Sequence, residues 1–121
     1  MGRRVLVVDD SATMRDMVSF TMSSAGFEVL EASDGVDALA VADDGAVDLV
    51  ITDLNMPKMD GLKLIKAMRS RPDHVLTPII FLTTERAKKK RQAARAAGAT
   101  AWIEKPFDPE RLVYVARKVC P

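Results

Sequence analysis

The chain has 121 residues, the size of one ordinary domain. Its 48% hydrophobic and 29% charged residues are typical of a globular protein, and a net charge of +1 is too small to predict nucleic acid as a partner. The single cysteine, Cys120, excludes an internal disulfide and a multi-cysteine metal site. The sequence "MGRRVLVV" lacks a signal-peptide core, and no apolar run approaches the roughly 20 residues of a membrane span. We therefore expect a cytoplasmic protein without membrane insertion.

Five short apolar runs predict β-strands. They are residues 4–8, 27–32, 48–52, 78–83 and 100–104. The first, third and fourth runs are almost entirely apolar, as expected of strands that are buried on both faces. The second run, "FEVLEA", alternates apolar and charged residues, which predicts an edge or half-exposed strand.

Amphipathic stretches of helical length separate these runs. We predict helices over 12–25, 35–43, 61–71 and 85–97, and a last helix that begins at Asp108-Pro109-Glu110. In the first helix an apolar stripe includes Met17 and Val18, and Gly26 supplies the stop. Asp60 is suited to cap the third helix, which Pro72 ends.

Strands that alternate with helices predict an α/β fold of five βα units. Helices that connect successive strands make such a sheet mostly parallel, with right-handed crossovers. The helices then cover both of its faces. Functional groups are expected at the carboxyl ends of the strands, near the point where the strand order reverses. The segment "DDSATM" after the first strand contains no glycine, so a dinucleotide-binding loop is not expected there.

Three aspartates follow strand ends. Asp9 and Asp10 end the first strand, and Asp53 directly follows the third. If the two strands are neighbours, these carboxylates share one crevice. Their repulsion is then relieved in one of two ways: one or more of them stays protonated, or a divalent cation joins them. Oxygen ligands on loops suit a hard ion such as Mg²⁺, or Mn²⁺. Taken singly, an aspartate at a strand end is also a common helix cap or turn residue.

Thr83 and Lys105 end the fourth strand and follow the fifth. A hydroxyl and an ammonium that face a metal-bound carboxylate supply the donors and the positive charge that a transferred phosphoryl group requires. Asp53 is then the candidate covalent acceptor. Taken alone, Thr83 is an ordinary strand-end threonine and Lys105 a solvated lysine, so the prediction depends on their combination.

The motifs "VLVVDDS", "DLVITDLNMPKMDG", "PIIFLTTE" and "AGATAWIEKPF" occur in the order and with the spacing of one family. Over essentially its whole length, the chain resembles the receiver domain of bacterial two-component response regulators. The resemblance implies one receiver domain over residues 1–121. It also implies a flavodoxin-like, doubly wound, five-stranded parallel sheet of order 2-1-3-4-5.

The resemblance also assigns roles to residues. It implies that Asp53 is the phosphoacceptor and that Mg²⁺ is held by the carboxylates of Asp10 and Asp53 and by the backbone carbonyl of Asn55. Asp9 acts largely through a bound water. Thr83 binds the phosphoryl group and moves toward it.

Further roles follow from the same resemblance. Lys105 pairs with the phosphoryl group and precedes a cis peptide bond to Pro106. Gly61 lies in the turn after the acceptor, where backbone freedom is useful. At the position of the switch aromatic, which is usually Tyr or Phe, this chain has Trp102, and its larger ring puts the usual inward movement in doubt. The alternative is that Trp102 is simply a partly exposed strand residue.

Asn55 and Glu85 resemble the CheY-like chemotaxis type, in which these neighbours flank the path of the hydrolytic water and tune dephosphorylation. We therefore expect a stand-alone, monomeric regulator that catalyses only its own phosphorylation from small donors and its own dephosphorylation. One alternative is a receiver fragment of a larger regulator with an output domain. Another is a Mg²⁺-dependent phosphohydrolase of the haloacid-dehalogenase kind, although that class has Asp-x-Asp where this chain has adjacent Asp9 and Asp10.

The expected partners are proteins. The phosphoryl donor would be a histidine kinase or a phosphotransfer protein, because His74, the only histidine, is expected in a loop far along the chain from the acids. A downstream target would dock on the face formed by the fourth helix, the fifth strand and the fifth helix. In the fourth helix, six basic residues oppose one acid, and its inner face offers little beyond Ala87, Ala94 and Ala97. Phe20 is either a second contact point or a partly buried core-edge aromatic.

Overall fold

The sheet contains five parallel strands in the order β2-β1-β3-β4-β5. The computed structural model describes residues 2–121. The strands are β1 (Arg4–Val8), β2 (Glu28–Ala32), β3 (Leu49–Thr52), β4 (Ile79–Thr83) and β5 (Ala101–Glu104). The helices are α1 (Ala12–Ser24), α2 (Gly35–Asp44), α3 (Gly61–Arg69), α4 (Lys88–Ala96) and α5 (Pro109–Val119). This is the predicted flavodoxin-like α/β fold, with β2 at the expected edge.

Short polar side chains set the starts of four helices. The Ser11 hydroxyl accepts the amide N–H of Met14 at the start of α1. Aspartate carboxylates do the same at the starts of α2, α3 and α5, where the capping residues are Asp34, Asp60 and Asp108. Each cap satisfies an amide that the first helical turn leaves without an internal partner.

The fourth helix begins later than predicted. It starts at Lys88, whereas the sequence placed its start at residue 85. The Thr83 hydroxyl accepts the N–H of Glu85, and the Glu85 carboxylate accepts the N–H of Ala87. Because side chains hold these amides in a turn, the segment before Lys88 is not helical. Ala87 is exposed, contrary to its predicted place on the inner face, and Ala94 is the buried residue of α4.

Two apolar cores lie on opposite faces of the sheet. Alternate residues of β1 serve both, since Val5 and Val7 face α1 and α5 while Leu6 and Val8 face the other helices. Within residues 2–121, no helix combines the length and the apolar composition needed to cross a membrane.

The burial of three residues differs from the sequence expectation. His74 was expected in a loop, but it is buried in a 3₁₀ turn (Pro72–His74), where its Nδ1 lies 3.1 Å from the Thr77 hydroxyl. Met17 was placed in the apolar stripe of α1 and is 52% exposed. Of the two alternatives for Phe20, the partly buried core-edge position is wrong, because the side chain is 74% exposed. Periodicity identified the helix but did not determine the width of the face that the sheet covers.

Gly61 is required for space and not for backbone freedom, which corrects the sequence interpretation. The left-handed residue of the turn is Lys58, with φ 65°. A Cβ atom at Gly61 would lie 2.5 Å from a ring carbon of Phe81 and 2.6 Å from the carbonyl oxygen of Asp53. Phe81 is fully buried, so its ring has little room to move.

We predict that Gly61→Ala lowers the free energy of unfolding by about 1–3 kcal/mol, the usual cost of overpacking. Gly45→Ala is the matched control, because its nearest atom is 3.4 Å away and its φ of −165° suits any residue. That control should leave stability unchanged or raise it slightly. Urea denaturation of both variants measures the difference, and equal effects would contradict this account of Gly61.

Candidate functional site

Three aspartates gather at the carboxyl ends of β1 and β3. Val8 is paired with Thr52 in the parallel register, and the N–H of Asp53 donates to the Val8 carbonyl at 3.0 Å. The residues that follow these strands are therefore adjacent. Carboxylate oxygens of Asp9, Asp10 and Asp53 lie within 4.8 Å of one another. The structure brings together the crevice that the sequence predicted.

Backbone amides hold two of these carboxylates in place. Oδ1 of Asp9 accepts the N–H of Ser11 at 2.9 Å, and Oδ1 of Asp53 accepts the N–H of Leu54 at 2.7 Å. Asp9 is only 3% exposed, whereas Asp10 is exposed and Asp53 is half-buried. The acids thus range from an enclosed position to an open one, which leaves a mouth through which a reactant can approach.

Lys105 joins two of the acids. Its Nζ donates to Oδ2 of Asp9 at 2.8 Å and to Oδ2 of Asp53 at 3.0 Å. Burial works to lower the pKa of Lys105, but the hydrogen bonds to Asp9 and Asp53 and their negative charges outweigh it, so the pKa is raised. The ammonium therefore stays charged at neutral pH, and its contribution to stability is lost only above the ordinary lysine value of 10.5. The peptide bond to Pro106 is cis, as the resemblance implied.

One ammonium does not balance three carboxylates. The remaining negative charge and the oxygen-only donor set fit a hard divalent cation, which takes carboxylate, carbonyl and water ligands. The pocket could therefore hold a metal ion.

Thr83, the last residue of β4, has a fully buried side chain. Its hydroxyl oxygen accepts the N–H of Glu85 at 3.1 Å. The same hydroxyl is thus engaged with the loop that leads into α4. This contact does not use the hydroxyl proton, which can be donated to another acceptor, but a partner that requires the side chain to turn away from Glu85 would break the loop contact.

Asn55 and Glu85 are 30 positions apart in the sequence, which assigned both to dephosphorylation, and their side chains are adjacent in the structure. Nδ2 of Asn55 donates to Oε1 of Glu85 at 3.5 Å. The pKa of Glu85 is lowered, first by the N–H of Ala87 and then by this amide of Asn55. The two side chains link the loop after β3 to the loop after β4.

Trp102 lies on the α4 side of the sheet and is half-buried. Its ring packs against Phe81 with centroids 5.9 Å apart and planes at 48°. Its Nε1 is buried and has no hydrogen-bond partner among residues 2–121, and the side chain borders a cavity of about 180 Å³ together with Arg91, Ala94 and Arg95. Trp102 therefore contacts both the core and the basic helix.

Sequence reasoning missed two supporting contacts. Nη1 of Arg15 donates to the backbone carbonyl of Asp9 at 2.7 Å, so α1 helps to hold the acidic turn. Lys58 lies 3.7 Å from Asp34, which links the loop after β3 to the start of α2. An arginine one turn into the helix that follows paired aspartates is a usable signal for the first contact. Nothing in the sequence marks the second.

The fold agrees with comparisons to known proteins. The profile of the response regulator receiver domain matches residues 5–117. The chain belongs to this family.

Several relatives are chemotaxis regulators. The chain is 46% identical to chemotaxis protein CheY1 of Helicobacter pylori over 111 residues, 90% of each protein. Its structure is similar to that of chemotaxis response regulator CheY4 of Vibrio cholerae, with a TM-score of 0.92, 45% identity and coverage of 98% of this chain and 99% of that one. NtrX of Brucella abortus is similar over 99% of this chain but 27% of its own, with a TM-score of 0.91 and 33% identity.

When a chelator removes divalent cations, replacing Asp9 or Asp10 by asparagine should have opposite effects on the free energy of unfolding. Asp9→Asn should lower the free energy of unfolding by about 1–3 kcal/mol, because a buried ionic hydrogen bond to Lys105 is weakened. Asp10→Asn should raise it, because repulsion from the other acids is relieved at an exposed position.

Chemical denaturation at low and high salt tests this pair of variants. The gain for Asp10→Asn should shrink as salt screens the repulsion. A loss of stability in that variant, or a gain that ignores salt, would contradict the electrostatic account.

Proposed function

We propose that this chain is a single-domain, CheY-type response regulator of a chemotaxis phosphorelay that accepts a phosphoryl group on Asp53. The supporting observation is the convergence of Asp9, Asp10, Asp53 and Lys105 at one edge of the sheet. The receiver domain comprises residues 1–121 and acts in the cytoplasm. The phosphoryl donor is a histidine kinase or a phosphotransfer protein, or a small acyl phosphate in the test tube.

The proposed cofactor is Mg²⁺, with Mn²⁺ as a substitute. The carboxylates of Asp10 and Asp53 and the backbone carbonyl of Asn55 would hold it, and Asp9 would act through a water. When bound, the ion neutralises negative charge on the phosphoryl oxygens. This role suits the excess of carboxylates over the single ammonium.

In the transfer step, a carboxylate oxygen of Asp53 attacks the phosphorus of the donor phosphohistidine. The new O–P bond forms as the P–N bond breaks, and the donor imidazole leaves with the electron pair and takes up a proton. The product on this chain is an aspartyl phosphate. The hydrogen bond from the Leu54 N–H orients the attacking carboxylate, and the Lys105 ammonium already contacts this carboxylate before the reaction begins. The Thr83 hydroxyl then donates to a phosphoryl oxygen.

Hydrolysis resets the proposed switch. A water attacks the phosphorus, the O–P bond to Asp53 breaks, and inorganic phosphate is released. Asn55 and Glu85 contact each other beside the acceptor, where they control the approach of this water. The activity is confined to the chain's own phosphorylation and dephosphorylation, so the protein is a switch and not an enzyme acting on other substrates.

Thr83 can transmit phosphorylation of the acceptor to the protein surface. If its hydroxyl turns to the phosphoryl group, it no longer accepts the N–H of Glu85, and the turn before α4 loses one of its hydrogen bonds. The helix itself has a single buried residue, Ala94, so little apolar burial opposes its movement. Trp102 packs beside this helix and would respond.

The output in this proposal is docking of a target protein on the face formed by α4, β5 and α5. The exposed residues Lys88, Lys89, Lys90 and Arg91 give the start of α4 a strong positive charge. Such a field favours an acidic partner surface and its rapid encounter.

Phosphoryl-mimic binding tests the acceptor. With Mg²⁺ present, beryllofluoride should change the fluorescence of Trp102, because the mimic engages Thr83 and loosens the neighbouring turn. Asp53→Asn should abolish the response and leave the fold intact. Asp73→Asn, an exposed acid elsewhere, is the matched control and should respond normally. An unchanged response in Asp53→Asn would reject this residue as the acceptor.

Amide hydrogen exchange tests the output face. On beryllofluoride binding, hydrogen exchange should change in α4 and β5, because the hydrogen bond between the Thr83 hydroxyl and the N–H of Glu85 is broken. Hydrogen exchange in α2 is the internal reference and should change little. No difference in α4 would overturn the proposed output, even if the acceptor is correct.

A further inference from the structure

An open groove of about 830 Å³ runs between α1 and α5. It lies on the face of the sheet opposite α2 and α3, away from the basic helix. Phe20 from α1 and Tyr114 from α5 line it and are 74% and 63% exposed. Two large aromatic side chains that share one groove mark an interaction surface more strongly than isolated exposed residues do.

The charges of the groove follow the axis of α5. Glu110 lies near the start of the helix, Tyr114 one turn later, and Arg117 and Lys118 one further turn on. Residues four positions apart lie along the same side of a helix, so Glu110, Tyr114 and Lys118 form a row. The Lys118 Nζ is 5.7 Å from the centroid of the Tyr114 ring. The α1 wall, which consists of Phe20, Thr21, Ser24 and Ala25, carries no charge.

This row is complementary to itself. It reads acid, aromatic, base in one direction, and turning it by 180° about Tyr114 gives base, aromatic, acid. An antiparallel copy of α5 therefore places Glu110 opposite Lys118 at both ends, with the two tyrosines at the centre. A two-fold interface needs this property, because the same patch must match itself.

We infer that the groove between α1 and α5 is a two-fold interface through which two copies of this chain associate. The exposed Phe20 of each copy covers the aromatic centre. The contact area is that of one helix pair with its flank, so the association is weak. This inference departs from the monomer expected from the sequence, and it does not depend on phosphoryl transfer.

Sedimentation velocity tests the inference on the unmodified protein at about 10 µM to about 1 mM, the range in which a weak dimer assembles. The sedimentation coefficient should rise with concentration. Glu110→Lys and Lys118→Glu should each remain monomeric, because like charges then face each other. An equimolar mixture of the two variants should associate again, since one carries only bases and the other only acids at the paired positions.

Phe20→Ser should also weaken association, whereas Leu76→Ser, which changes a 90% exposed residue elsewhere, should not. Circular dichroism and beryllofluoride binding check that each variant is folded and retains the acid pocket. A wild-type protein and a mixture that both stay monomeric would overturn the inference and leave the groove to another partner. So would association that persists unchanged in the single charge variants.

Discussion

The structure depends on how it compensates three carboxylates placed together. Lys105 donates to Asp9 and Asp53 at once, which ties the end of β5 to the ends of β1 and β3. This contact offsets part of the repulsion and leaves the remainder as an attraction for a cation. The same groups therefore stabilise the fold and define the pocket, and Asp10, which is exposed, adds further negative charge.

Much of this arrangement could be predicted from local sequence. Buried apolar runs and helical stripes gave the element order, and the parallel sheet then required Asp9 and Asp53 to meet at one edge. Polar residues at four strand ends are a signal that survives without coordinates, because a parallel sheet aligns those ends. Capping aspartates such as Asp60 and Asp108 likewise fixed helix starts correctly.

Two of the misses depend on contacts between distant segments, whereas the late start of α4 is set by local side-chain contacts. The late start of α4 follows from side-chain bonds of Thr83 and Glu85 that no periodicity reveals. Burial of His74 depends on α2, whose Ala42 carbonyl lies 3.3 Å from Nε2. The need for glycine at position 61 arises from the ring of Phe81, twenty residues further along the chain. Propensity describes a single segment, whereas the burial of His74 and the need for glycine at position 61 each depend on a pair of segments.

The central claim is that the carboxylate of residue 53 becomes phosphorylated, and chemical trapping tests it most directly. The protein is incubated with acetyl phosphate and Mg²⁺, reduced with borohydride and analysed by peptide mass spectrometry. An aspartyl phosphate is reduced to homoserine, so the account predicts homoserine at position 53 and aspartate at positions 9 and 10. Aspartate at all three positions, or homoserine at another position, would contradict it.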